Sequence, residues 1–374
     1  MSLESAKSLE KLMKRPIFFF GLCLFLLTLI NVRCSFDRTS SASTPTIPPL
    51  VIQKGTRQLA IDVSMASDND YNKAFQLAKE VGIERIGLFQ NWNTLEPSPR
   101  SYTGKWLSIA DDYYPAKNVS LDLTIAVIHT NHSTVPEDIG HKTLDDPEVI
   151  GRFKALLDFI FSQMPDTRFS SIVISSESDI YFGIDETKWK HFESFYKEIV
   201  SYIHSKKPGI PVATEFTFNG LTGQMKKKAQ IINKLSDVIG VSYYPLSNDF
   251  KVNNPAVVAG DFDTIAAVYP DKPIVFYQLG YPSSEYIKSS EERQALFIFE
   301  VFHAWDKHST SIKMIDFTWL HDTSPQKVDE MAGVYGISSR GFKEFIGTLG
   351  LRTYDGRDKP AYRRLKQEIQ ARGW

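Results

Sequence analysis

The sequence predicts an α/β fold, a (β/α)8 barrel forming a single large domain, and three observations carry that expectation. Short apolar, β-branched runs alternate with amphipathic stretches, as in parallel strands joined by crossover helices. Eight such runs occur between Leu59 and Leu320. No GxGxxG or phosphate-binding glycine loop follows an early run, which disfavours a nucleotide-binding doubly wound sheet and leaves no cofactor expected.

The runs in order are LAIDV from Leu59, RIGLFQ from Arg85, LDLTIAVI from Leu121, SIVISS from Ser171, PVATEF from Pro211, VIGVSYY from Val238, PIVFYQL from Pro273 and MIDFTWL from Met314. Between them, Val149, Phe153, Leu156, Leu157 and Ile160 repeat with the helical period, started by Asp146 as N-cap and Pro147 in the first turn. Trp189, Phe192, Phe195, Tyr196, Ile199 and Ile203 form a second stripe, and Ser289 with Glu292 fits a capping box ahead of a third helix.

At 374 residues, with 42% hydrophobic and 23% charged residues, the chain can bury a large core. Its formal net charge of -1 argues against a polybasic surface, so nucleic acid is not an expected partner. Lys7, Lys11, Lys14 and Arg15 precede the apolar run PIFFFGLCLFLLTLINV, from Pro16 to Val32, in the order of a secretory signal. A cleaved signal, a lipid-modified signal and an uncleaved anchor all fit a run of roughly 17 residues. Cys34 follows directly in LINVRC and resembles the acylated cysteine of a bacterial lipoprotein, although Arg33 stands where that pattern has a small residue. Residues 1–34 are therefore expected to be a signal peptide or membrane anchor, residues 35–55 a Ser/Thr/Pro-rich tether, and residues 56–374 the barrel. An exported protein, held at the cell envelope or surface with the membrane as a partner, is the corresponding expectation. Cys23 and Cys34 are the only cysteines, so the barrel has neither an internal disulfide nor a cysteine-based zinc site.

In such a barrel, functional groups sit where the strands end. The fourth run leads through Ser175 and Ser176 to Glu177, the seventh ends at Gln278, and the sixth delivers Tyr243 and Tyr244 before Pro245. The eighth delivers Trp319 with His321 and Asp322 beyond it, and the second leads into QNWNTLEP with Trp92 and Glu96. These residues outline a cleft whose aromatics and hydrogen-bonding groups suit stacking on sugar faces and bonding to hydroxyls. Tyr243 and Tyr244 are read as dividing between lining the cleft and packing the barrel. Glu215 and Asp62 are the other rim carboxylates; both have a plain structural reading, with Glu215 also a substrate-binding candidate. His129, Asn131 and His132 form an HxxH on a loop without an acidic partner at ligand spacing, so solvated or substrate-contacting histidines are expected and no metal.

The ends of the fourth, sixth, seventh and eighth runs, together with the segment from Trp92 to Pro97, resemble the retaining glycoside hydrolases of clan A. IGVSYYP from Ile239 and GYPSS after the seventh run look like endo-β-1,4-galactanases, and GLRTYDGRDKPAYRRL from Gly350 is similar to the tail of many such enzymes. The resemblance implies that Glu177, preceded by Ser176 where the family usually has Asn, is the general acid and base. It also places Gln278 where the nucleophilic Glu belongs, and makes Trp319 a sugar platform. Retention needs two carboxyl groups about 5–5.5 Å apart, one of which attacks the anomeric carbon. An amide is a poor nucleophile and carries no charge to stabilise an oxocarbenium ion, but it still donates and accepts hydrogen bonds. The expectation is a barrel that binds an oligo- or polysaccharide with hydrolysis weak or lost. Two alternatives stay open: an active glycosidase using another group, such as Glu215, Asp322 or a water activated by Glu177, and a non-catalytic scaffold for a protein partner.

Overall fold

A computed structural model describes residues 51–374; the signal or anchor segment with Cys34, and the tether as far as residue 50, lie outside the described residues. The strands are β1 (Gln58–Ile61), β2 (Arg85–Asn91), β3 (Ser120–His129), β4 (His132–Ser133), β5 (Phe169–Ser176), β6 (Val212–Ala213), β7 (Glu215–Thr217), β8 (Ile239–Tyr243), β9 (Ile274–Leu279) and β10 (Ile312–Phe317). β4 is a short antiparallel partner of β3, outside the wall. β6 and β7 are separated only by Thr214; β6 pairs with β5 and β7 with β8, so the hydrogen-bonded path begins and ends on two halves of one strand. The result is a parallel barrel with helices between its strands, and its eight staves fall on the eight apolar runs.

Successive side chains of a strand face opposite ways. The outward set, including Leu59, Ile61, Leu121, Leu123, Ile172 and Ile174, joins the apolar stripes of the helices in one continuous core. The inward set begins with a small apolar cluster of Ala60, Val173, Ala213, Val238, Val275, Tyr277 and Met314. Two residues further along the same strands, the inward positions become Asp62, Glu215 and Asp316, and two further again Thr318. The interior therefore changes from apolar to acidic toward the C-terminal mouth.

The helix Pro147–Gln163 starts on Asp146, whose side chain accepts from the Glu148 amide, and buries Val149, Phe153, Leu156, Leu157 and Ile160. The helix Glu186–Lys206 starts on Asp185 and buries the aromatic stripe from Trp189 to Ile203. The helix Glu291–Lys307 departs from expectation by one residue. Its cap is Ser290, which accepts from the Arg293 amide, so Glu292 falls one position short of the capping-box site.

Trp92 also departs from expectation, because it belongs to the core and not to the cleft. It opens the short helix Trp92–Leu95 with no exposed surface, packs edge-on against Phe153, and donates from Nε1 to Glu96 Oε2 at 2.7 Å. Glu96 accepts in turn from Arg152 Nη2 at 2.6 Å and from the Arg100 amide at 2.7 Å. The segment from Trp92 to Pro97 is thus a buried, ion-paired turn that fixes the exit of β2.

A second buried cluster ties the chain before β1 to two helices. Asp306 accepts from Arg57 Nη1 at 2.7 Å, just before β1, and from Arg372 Nη2 at 2.6 Å in the helix Pro360–Arg372. All three side chains are buried. Removing one partner from a buried ion pair leaves an uncompensated charge and costs about 3–5 kcal/mol. Asp306→Asn is expected to lose stability on that scale, read as a fall in the urea midpoint with an unchanged slope.

Candidate functional site

A cavity of about 190 Å³ opens at the C-terminal mouth. Glu177 and Gln278 both line it, as do Asp62, Asp122, Glu215, Asp316, Thr318 and Trp319 from the strands and strand ends. Phe89, His129, Thr130, Tyr277 and Tyr335 also line it.

Glu177 stands between β5 and the short helix Ser178–Phe182 with φ 49° and ψ 35°, a left-handed conformation that costs a non-glycine residue about 1–2 kcal/mol. Ser175, two residues earlier, is also left-handed at φ 75°. Such strain persists where the surroundings over-determine it, commonly at functional sites. Here the surroundings are three strands: Glu177 sits at the end of β5, its Oε2 accepts from Thr130 Oγ1 beyond β3 at 2.8 Å, and its Oε1 accepts from Ser242 Oγ of β8.

Gln278 reaches the cavity through an irregularity. The β8–β9 register pairs Val241 with Phe276 but Ser242 with Gln278, which leaves Tyr277 as an extra residue. Tyr277 and Gln278 therefore both face inward although they are consecutive, an arrangement regular alternation forbids. The amide is fully engaged: Oε1 accepts from Tyr244 OH at 2.9 Å, and Nε2 donates to Ser176 Oγ and Glu215 Oε2, each at 3.1 Å. Ser176 Oγ in turn donates to Glu215 Oε2 at 2.6 Å.

The carboxyls around this pair are held away from water. Burial, reinforced by the charge of Glu177, pushes Glu215 up to about 8; burial pushes Asp62 up to about 7. Asp316 is raised well above the usual carboxylate range by burial, with Asp62 and Asp122 adding to the effect. Asp122 lies deepest, gripped by Arg85 through Nε at 2.8 Å and through Nη2, and by Ser171 Oγ. On the opposite wall, burial brings the His129 ring down to about 4, so it is neutral at neutral pH. His129 Nε2 shares a hydrogen bond with Tyr335 OH at 3.0 Å, and the ring tilts against Phe89 at 4.6 Å.

The other sequence candidates separate by position. Tyr243 is a core residue and not a cleft residue: it is buried, donates to Asp261 Oδ2 at 2.6 Å and packs against Phe218, Phe262 and Phe276. Tyr244 acts on the site by holding Gln278, and Ser176 by holding Glu215. Trp319 stands between the cavity and an adjoining groove that contains Asp322. Asp322 pairs with Lys359 at 2.7 Å and does not line the cavity with Glu177, so the second carboxyl imagined there is placed elsewhere. His321 Nδ1 meets the Ser64 carbonyl at 2.7 Å, and its Nε2 accepts from Arg352 Nε at 3.1 Å. Asn131 donates to the Tyr335 carbonyl at 2.7 Å, and His132 bonds to Asn131 at 3.1 Å. Asp62, given a structural reading from sequence, lines the cavity instead.

Sequence reasoning passed over Asp122, Asp316, Phe89, Thr130, Thr318, Ser242 and Tyr335. Asp122 and Asp316 did leave a signal, since each interrupts an otherwise apolar strand at an inward position. Tyr335 left none, because it arrives on the helix Pro325–Tyr335 after the last strand.

No family model and no curated protein matches the sequence. Solved structures do. A GH5_18 protein from Bifidobacterium longum subsp. infantis matches with TM-score 0.62 at 12% identity, over 84% of this chain and 78% of that one. A GH5_18 protein from Streptomyces cattleya, in complex with Manβ1-4GlcNAc, matches with TM-score 0.62 at 14% identity, over 84% and 80%. The exo-β-1,4-mannosidase of Opitutaceae bacterium strain TAV5 matches with TM-score 0.64 at 13% identity, over 88% of this chain and 62% of that one. These neighbours are glycoside hydrolases of the clan whose strand-end motifs the sequence resembles. The chain shares their barrel.

Glu215 binds its proton more tightly in the folded protein than in the unfolded chain. The contribution of this group to stability is therefore fully present below the ordinary glutamate range, falls as pH rises from about 4.5 toward about 8, and levels off above that. The slope reaches up to about 1.4 kcal/mol per pH unit for each such group. Urea titrations at successive pH values are expected to show this decline, with a smaller slope in Glu215→Gln.

Proposed function

We propose that this protein is a glycoside hydrolase-type barrel that holds a β-linked glycan at its C-terminal mouth and hydrolyses it weakly or not at all. The observation that carries the reading is Gln278: it lines the same cavity as Glu177 and is an amide, locked by Tyr244, Ser176 and Glu215. In the retaining mechanism that position must attack or at least carry charge, and an amide does neither. Binding is a different matter. Trp319 offers an apolar face, and Glu177 accepts hydrogen bonds at a fixed place, the combination that orients a sugar. The Streptomyces cattleya neighbour was solved with Manβ1-4GlcNAc, which makes β-mannosyl oligosaccharides the first ligands to try. The basic and apolar N-terminal segment with Cys34 supports export and tethering at the cell envelope.

One observation favours a second reading, an active glycosidase. Glu215 is a carboxyl on the same cavity, and its Oε1 has no hydrogen-bond partner.

Calorimetry and product analysis on a panel of β-linked oligosaccharides test both readings. The wild-type protein is expected to bind with little turnover. Gln278→Glu is expected to gain hydrolysis by about a thousandfold or more, corresponding to roughly 4–5 kcal/mol of barrier, and Glu177→Gln added to that variant abolishes the gain. Wild-type turnover that disappears in Glu215→Gln would establish the second reading instead. A wild-type protein and a Gln278→Glu variant that neither bind nor cleave any member of the panel would end the carbohydrate reading.

A further inference from the structure

We propose that the sugar unit seated in this cavity carries a free amine, so that the ligand is a deacetylated amino-sugar oligosaccharide and not a neutral one. The proposal rests on the carbohydrate reading above and narrows it to one class of glycan.

The charge balance of the cavity is one-sided. Asp62, Asp122, Glu177, Glu215 and Asp316 all line it. Among the described residues, one cation hydrogen-bonds to any of these five, and that cation, Arg85, is spent on Asp122 in a two-pronged grip at the floor. His129 is the imidazole on the wall, and burial keeps it uncharged at neutral pH. Glu177 and Glu215 meet only hydroxyls and the Gln278 amide.

An independent sign of a missing partner comes from atoms with nothing to bond. Thr318 Oγ1, on a residue 3% exposed and outside the acidic set, lines the cavity without a hydrogen-bond partner. Glu215 Oε1 and Asp316 Oδ1, each on a residue 2% exposed, are in the same condition. A buried polar atom left unpaired is destabilising, so an occupant that brings hydrogen-bonding groups to this part of the cavity is favoured.

Burial favours the protonated forms of Glu215, Asp62 and Asp316, and a hydroxyl, which brings no charge, leaves them so. An ammonium brings three donors and the missing positive charge to a water-poor space. Hydrogen bonds between such ionised partners are about twice as strong as neutral ones. The cavity volume of about 190 Å³ is small. It lies below the roughly 300–1,000 Å³ of drug-sized sites, which suits one sugar unit with its amine inward and the rest of the chain leading out past Trp319. Entry of a cation also favours the ionised carboxyls, so protons leave as the ligand binds.

The test is isothermal titration of the full chain in detergent at pH 5.5, low enough to charge a sugar amine, whose neighbouring oxygens hold it below the α-amino value of about 7.7–8.0. The ligands are a β-1,4-linked glucosamine tetramer, its N-acetylated counterpart, mannotetraose and a linear polyamine. The glucosamine tetramer is expected to bind at least tenfold more tightly than the other three, and to release protons, seen as heats that differ between buffers of different ionisation enthalpy. Asp316→Asn is expected to cut the preference for the amino over the N-acetylated tetramer by about tenfold. Asp62→Asn, at the less buried carboxyl, is expected to do the same and serves if Asp316→Asn fails to fold. Neutral or N-acetylated oligosaccharides binding as tightly as the amino one would overturn the proposal and leave the carbohydrate reading standing. A polyamine binding as tightly as the tetramer would overturn it in favour of simple amine capture. Failure of every ligand to bind would overturn both readings.

Discussion

Because successive side chains of a strand point to opposite faces, a closed wall has a single interior, and whatever occupies every second position must share it. In this protein the lower positions are filled by Ala60, Val173, Ala213, Val275 and Met314, which make an ordinary dry plug. The next positions along the same strands are Asp62, Glu215 and Asp316. Closure brings these carboxyls within reach of one another although they are far apart in sequence. Two irregularities adjust the rule: the break at Thr214 lets one strand complete the circle, and the extra residue Tyr277 turns Gln278 inward.

This geometry gives Gln278 a physical rationale independent of catalysis. Its amide nitrogen faces Ser176 Oγ and Glu215 Oε2, both acceptors, and its carbonyl faces the Tyr244 hydroxyl, a donor. A carboxylate in the same place would meet Glu215 acceptor to acceptor and would add a sixth carboxyl to a space that already contains five. The amide relieves that repulsion and keeps every bond. Glu177 is treated in the opposite way, with a hydroxyl donated to each of its oxygens. The mouth therefore pairs an oriented acceptor with an amide that bridges two neighbours.

The parts of this fold that were legible in sequence are those governed by local periodicity. Eight apolar runs became eight staves, and the cap at Asp146 follows from short-range hydrogen bonding. Glu177, Gln278 and Trp319 were readable because barrel chemistry collects at strand ends. What misled was residue type without direction. Trp92 and Tyr243 also stand at strand ends, but Trp92 turns under Phe153 and Tyr243 points outward among Phe218, Phe262 and Phe276. Asp316 and Asp122 were hidden for the converse reason, since a charged residue inside an apolar run invites no attention until alternation sets its face. Tyr335 depends on where an excursion after the last strand comes to rest, and no pattern within that segment reveals it.

The contact between Tyr335 and His129 has a consequence for the order in which the pocket is made. His129 leaves the third stave early in the chain, whereas Tyr335 arrives only after the last one. Domains assemble as units while synthesis proceeds from the N-terminal end. This part of the pocket wall is therefore present only once the chain has been made as far as residue 335, beyond the last strand of the barrel.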